Sequence, residues 1–190
     1  GRYHITEQLG QGGMATVYKA FDTHVERDVA LKFIRSEKLN VESGEKMIKR
    51  FKREAQALAK LSHPNILTVL DYGEHEGQLY LVTEFMPGGT LKEKLGKQIH
   101  WVEAAKLLAP IARALEYAHA QGIIHRDIKP ANILISPSGL PVLADFGIAK
   151  MLESELTSDL TGTNVGVGTP DYMAHEQGLG KGVDHRADVY

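Results

Sequence analysis

The chain contains no cysteine, which excludes disulfides and thiolate zinc sites and leaves the redox compartment unread. No apolar run approaches the ~20 residues of a membrane-spanning helix, and neither end reads as a signal peptide. The segment is therefore expected to be cytoplasmic and to make no membrane contact itself, either alone or as the cytosolic part of a membrane-anchored protein. A net charge of −2 provides no general attraction to nucleic acid or anionic lipid. The basic run Lys46, Lys49, Arg50, Lys52 and Arg53 lacks an aromatic or basic excess elsewhere, so it reads as a solvated helix face, and no nucleic-acid partner is expected. Nine histidines are scattered without metal-ligand spacing. What is present is 190 residues of ordinary globular composition, enough for one good core or two small lobes.

Short apolar runs punctuated by glycine and charge predict three antiparallel strands, Tyr3 to Leu9, Thr16 to Phe21 and Asp28 to Arg35. The first two are joined by Gly10-Gln11-Gly12-Gly13-Met14-Ala15. These glycines either make a plain hairpin or let backbone N–H groups approach a polyphosphate, and on their own the two readings are about even. Val17 follows, an apolar side chain able to cover a base, and Lys32 sits in the third strand among apolar neighbours. Residues 43–61 repeat Met47, Ile48, Phe51, Ala55, Leu58 and Leu61 at helical spacing, with Glu54 near the apolar face. Glu54 needs a partner if it is buried there, and the plain alternative is a surface pair with Arg50, worth a few tenths of a kcal/mol. A hairpin, Leu67 to Tyr72 and Gln78 to Phe85, follows. Pro87-Gly88-Gly89-Thr90 then reads as a connection between lobes. Beyond it the period turns helical. Thr90 caps a short helix, and Val102 to Gln121 carries the stripe Val102, Ala105, Leu108, Ala112, Leu115 and Ala118, with Pro110 predicting a kink.

The chemistry concentrates in His125-Arg126-Asp127-Ile128-Lys129-Pro130-Ala131-Asn132, which sets an acid, a lysine and an amide within eight residues. Asp145-Phe146-Gly147 comes thirteen residues after Asn132. An aspartate in a loop is usually a turn residue, but both groups in this order match a known pair of catalytic and metal-binding loops. The chain resembles a bacterial, eukaryotic-like (Hanks-type) Ser/Thr protein kinase catalytic domain.

That resemblance implies an α+β, two-lobed fold, with an antiparallel-sheet N-lobe over 1–86 and part of a mainly helical C-lobe over 87–190. It implies ATP with Mg2+ or Mn2+ as cofactors. Leu9, the loop Gly10, Gln11, Gly12, Gly13, Met14 and Ala15, together with Val17, Ala30, Thr83, Glu84, Met86 and Leu134, would bind the nucleotide. Lys32, paired with Glu54, would contact its phosphates. Thr83 would be the gatekeeper, and Ala15 departs from a third glycine while remaining small. Asp127 would accept or orient the hydroxyl proton, Lys129 would neutralise developing charge, and Asn132 with Asp145 would hold the metals. Within the long stretch from Asp145 to Glu176, Thr161 and Thr163 stand as phosphorylation candidates that would neutralise Arg126. Thr169 would position the substrate.

Protein substrates and a second copy, acting in trans-autophosphorylation, are the expected partners. His175 replaces the usual proline of Ala-Pro-Glu, which is expected to loosen the segment's anchor. Asp188-Val189-Tyr190 resembles the start of the buried helix that supports the catalytic loop. The family's domain continues well past that point, so an uncovered apolar surface is expected on the C-lobe. Two other readings stand beside this one: a pseudokinase or ATP-binding scaffold, against which every catalytic group speaks, and a small-molecule phosphotransferase, which typically lacks the Gly-Thr-Pro turn and the Ala-x-Glu anchor.

Overall fold

Alternation of apolar and polar residues makes the first part of the chain a sheet, and the change to helical spacing makes the rest a loop-and-helix unit. The computed structural model describes residues 1–13, 15–34, 41–95, 98–148, 170–178 and 182–190. Met14, Thr161, Thr163 and Thr169, named above as candidates, lie outside them. The chain divides into two compact units. One takes Gly1–Lys60 and Thr68–Phe85, and the other takes Leu61–Leu67, Met86–Gly147 and the C-terminal stretch to Tyr190.

The first unit is a five-stranded antiparallel sheet of β1 (Tyr3–Gln11), β2 (Ala15–Asp22), β3 (Arg27–Ile34), β4 (Val69–His75) and β5 (Gln78–Glu84), in the order β1-β2-β3-β5-β4. Strands lie where the alternation predicts them, with tighter connections. β1 extends through Gly10 to pair Gln11 with Thr16. β4 runs on to His75, so the turn shrinks to Glu76 and Gly77 with φ of 51° and 78°. Two positive φ values match the twist of the flanking strands, as two-residue hairpins require.

One sheet face buries Ala20, Val29, Leu31 and Val82, with Tyr3, Phe33, Leu70 and Tyr80 packed around them. The helix α1 (Val41–Ala59) lies against the other face, where fully buried Phe51 meets Tyr72 edge-on at 6.5 Å. Met47, Phe51, Ala55 and Leu58 form its buried stripe, while Ile48 is only half-buried. Arg2 pins the sheet edge, pairing with Asp22 at 2.7 Å and Asp71 at 2.8 Å.

In the second unit a capping box at Thr90 and Glu93 starts α2 (Leu91–Lys94), and α3 runs from Trp101 to Ala120, undivided at Pro110. The expected stripe on α3 holds only in part. Leu115 and Ala118 are buried with Ile111 and Ala114, but Ala105, Leu108 and Ala112 are exposed. The upstream turns are apolar on two faces, and the packed face is the one ending in Ile111, Ala114 and Leu115. The open face carries Trp101, 74% exposed, and Leu108. A short hairpin, β6 (Ile133–Ile135) and β7 (Pro141–Leu143), and the four-residue α4 (His175–Gly178) follow. His185–Asp188 is a single 3-10 turn that buries Ala187 and Asp188, and Val189 and Tyr190 are exposed. No helix among the described residues is long and apolar enough to cross a membrane.

Candidate active site

In the first unit the strand register gathers the candidate residues. Val17 pairs with Lys32, Lys32 with Leu81, and Ala30 with Thr83. Directly paired residues in an antiparallel ladder share a face, so Val17, Ala30, Lys32 and Thr83 lie together. Tyr72 pairs with Leu81 on that same face, so α1, packed on Tyr72, lies on the side of Lys32. Glu54 is half-buried on α1 and accepts from Arg53 at 2.9 Å and 3.3 Å. Arg53 is largely exposed, so this pair is worth less than about 1 kcal/mol and is cheap to exchange.

The glycine stretch is tight: the Gly12 N–H donates to the Ala15 carbonyl at 2.9 Å. Yet nothing in the described chain requires glycine there. A Cβ on Gly10 or Gly13 would meet nothing within 4 Å, and neither residue has a positive φ. Glycine is needed where a backbone must bend left-handed or approach another group closely, and only the second reason remains. The Glu84 N–H donates to the Thr68 carbonyl, and the Thr83 hydroxyl donates to the Glu84 carbonyl, each at 3.3 Å.

The second unit holds Asp127 by side-chain bonds. Asp127 Oδ2 takes Lys129 Nζ at 2.9 Å and Asn132 Nδ2 at 2.8 Å. The same Asn132 nitrogen reaches the Asp127 carbonyl at 2.8 Å. With both bonds made by Nδ2, the Asn132 amide is oriented and presents its Oδ1 as an acceptor. The Asn132 carbonyl accepts from the Ala144 N–H at 2.8 Å, and the Ile133–Leu143 pair continues the ladder. This hairpin brings Asn132 beside the residue preceding Asp145. An amide oxygen and a carboxylate are hard donors of the kind Mg2+ takes, with the remaining positions left to phosphate and water.

His125 is fully buried beneath this loop. Its Nδ1 accepts the Asp127 N–H at 3.2 Å, so its Nε2 carries the proton donated to the Ala144 carbonyl at 2.8 Å. That tautomer is neutral, and burial pushes the imidazole below its ordinary value, in agreement. The ring lies 4.6 Å from that of Phe146. Beneath it, Asp188 accepts from the N–H groups of His125 and Arg126 and meets His119 Nε2, each at 2.7 Å. Arg126 and Asp145 have φ of 66° and 62°, left-handed for side-chain-bearing residues. Arg126 Nε is buried without a hydrogen-bond partner. His119 and Gln177 had not been singled out from the sequence. The one signal that could have pointed to Gln177 is a glutamine at the third position of a short helix.

The profile of the protein kinase domain matches residues 3–190. The chain belongs to the protein kinase family. It is 44% identical over 192 residues to a probable serine/threonine-protein kinase PknB of Lactococcus lactis, an alignment covering 100% of this chain and 30% of that relative. The kinase chain thus spans about 30% of the length of that curated relative. The apo form of PpkA-294 superposes with a TM-score of 0.79 at 31% identity, covering 100% of this kinase chain and 72% of that one. Rad53 in complex with AMP-PNP superposes with a TM-score of 0.69 at 32% identity, covering 77% and 38% of the respective chains. The kinase fold accounts for the sheet unit with its one long helix and for the helical unit with the loop around Asp127. Members of the family use ATP and a divalent metal.

Proposed function

We propose that this chain is the catalytic part of a Ser/Thr protein kinase, residues 1–86 forming its N-lobe and 87–190 part of its C-lobe, which transfers the γ-phosphoryl group of ATP to protein hydroxyls. The observation that carries this reading is the Asp127 carboxylate held by Lys129 and Asn132. Asp127 accepts the proton as the hydroxyl oxygen attacks the γ-phosphorus and the bond to the β-phosphate oxygen breaks. Lys129, already beside Asp127, neutralises the charge that develops on the transferred group. Positioning and electrostatics supply most of the rate. Asn132 Oδ1 and Asp145 hold the metal, Mg2+ or Mn2+, which when bound neutralises phosphate charge.

Lys32 contacts the phosphates, and Glu54 exchanges its weak bond to Arg53 for Lys32. Gly10, Gln11, Gly12, Gly13 and Ala15 cover the phosphates, and the absence of any internal need for glycine at Gly10 and Gly13 supports that role. Leu9, Val17, Ala30 and Leu134 enclose the base. The Glu84 carbonyl and the Met86 backbone hydrogen-bond it, and Thr83 stands at the rear as gatekeeper. The buried, partnerless Nε of Arg126 supports an incoming phosphate, from Thr161 or Thr163 modified by a second copy of the enzyme.

Incubation with Mg-ATP followed by mass spectrometry tests the reading. Phosphate is expected on the chain, on Thr161 or Thr163 first. In Asp127→Asn, transfer should fall by about 10³-fold. Undiminished transfer in that variant would remove Asp127 from its role.

A further inference from the structure

Gln177 has no part in the roles above, yet both ends of its amide are used. Its Oε1 accepts the Ala174 N–H at 3.0 Å, and its Nε2 donates to the Arg126 carbonyl at 2.9 Å. The first bond has a local explanation. Ala174 precedes α4 and Gln177 is the third residue of that helix, so a side chain reaching back is half of a capping box. The second bond has no such explanation, because Arg126 lies 51 residues away in sequence.

Arg126 is the left-handed residue immediately before Asp127, and such a conformation persists only where its surroundings fix it. Its N–H is tied to Asp188 Oδ1 at 2.7 Å and its carbonyl to Gln177. That carbonyl belongs to the peptide whose other end is the Asp127 N–H, itself tied to His125 Nδ1 at 3.2 Å. The plane of the 126–127 peptide is thus gripped at both ends, and Gln177 is the only grip reaching in from α4 among the hydrogen bonds described.

We propose that Gln177 is a positioning residue that holds the 126–127 peptide, and through it the Asp127 carboxylate, in its working orientation only while the Ala174–Gly178 segment is docked. Catalytic competence is thereby coupled to the anchor of the segment that precedes α4. The inference rests on the phosphoryl-transfer reading, and glutamate separates it from mere capping. Glutamate at this position still accepts the Ala174 N–H, as capping boxes allow, but when ionised it has no hydrogen to give the Arg126 carbonyl.

Three forms of the full-length protein decide the matter: wild type, Gln177→Glu and Gln177→Leu. Hydrogen–deuterium exchange is measured over 123–129 and 170–178, alongside kcat and KM for ATP with a Ser/Thr peptide. In Gln177→Glu, exchange over 123–129 should rise while 170–178 stays protected. In Gln177→Leu both should rise. In each variant kcat should fall about tenfold, as for one lost hydrogen bond, with KM for ATP within about twofold. Unchanged exchange over 123–129 in Gln177→Glu overturns the proposal, whether or not the wild type transfers phosphate. A wild type that transfers nothing sinks the kinase reading instead, and the exchange arm still reports on the latch. A Gln177→Leu chain that fails to fold leaves the glutamate comparison to decide.

Discussion

The two units place their functional side chains by different physics. In the sheet unit, Val17, Ala30, Lys32 and Thr83 share a face because strand periodicity and cross-strand register put them there. The apolar cluster on the opposite face sets the register for all of them together. In the loop unit, Asp127 and Asp145 sit on irregular backbone while Asn132 ends a 3-10 turn, and two residues are left-handed, Arg126 at 66° and Asp145 at 62°. The placement of Asp127 depends on individual bonds from Asp188, Gln177, His125 and Lys129. A site built on register tolerates losing one of its side chains. A site built on separate bonds does not.

The sharpest test of that contrast is Asp188→Ala. The carboxylate accepts two backbone N–H groups and meets His119, and its side chain is fully buried. Leaving two such donors unsatisfied costs about 1–3 kcal/mol each, so a loss of about 3–4 kcal/mol is expected from urea unfolding. The loop around Arg126 should also exchange amide protons faster. A loss under about 1 kcal/mol would mean that the loop holds its shape without this anchor, and the contrast between the units would fail.

This difference also governs how much the sequence discloses. Alternation revealed the strands and the lysine-bearing face, and helical spacing revealed the stripe Met47, Phe51, Ala55 and Leu58. The motif around Asp127 was legible as a motif. The bonds that shape it were not, because a cap at Gln177 or a buried tie from His119 to Asp188 has no period. The α3 stripe was half misread for a related reason. A helix apolar on two faces gives a spacing signal without saying which face is packed, and Leu108 fell on the open one. Glu54 shows the limit for charges: its bond is to the adjacent Arg53, a pairing that helical spacing does not announce.

A smaller effect belongs to the ion pair at the sheet edge. Arg2 bonds Asp22 through Nε and Nη2, which holds that carboxyl down at about 2, with the His24 N–H adding to it. A carboxyl depressed in the folded state contributes stability that is complete above its unfolded value near ~3.9 and is lost as pH falls towards the folded one. The wild type should therefore lose this contribution between about pH 4 and pH 2. In Arg2→Met, Asp22 should titrate most of the way back to the ordinary range, with the His24 bond keeping part of the depression. Carbon NMR of the Asp22 carboxyl reads this directly. If it still titrates near 2 in the variant, Arg2 is not the cause.

The least perturbing change is expected at Lys32, although it is proposed to sit at the centre of nucleotide binding. Its backbone pairs with Val17 on one side and Leu81 on the other, and methionine retains the aliphatic stem that packs between them. Lys32→Met should thus shift the urea midpoint by no more than the equivalent of about 0.5 kcal/mol while abolishing phosphoryl transfer. Loss of activity with the fold intact is what placement by register requires. A destabilisation approaching that of Asp188→Ala would show that Lys32 is itself a structural tie, and that both units assemble their sites bond by bond.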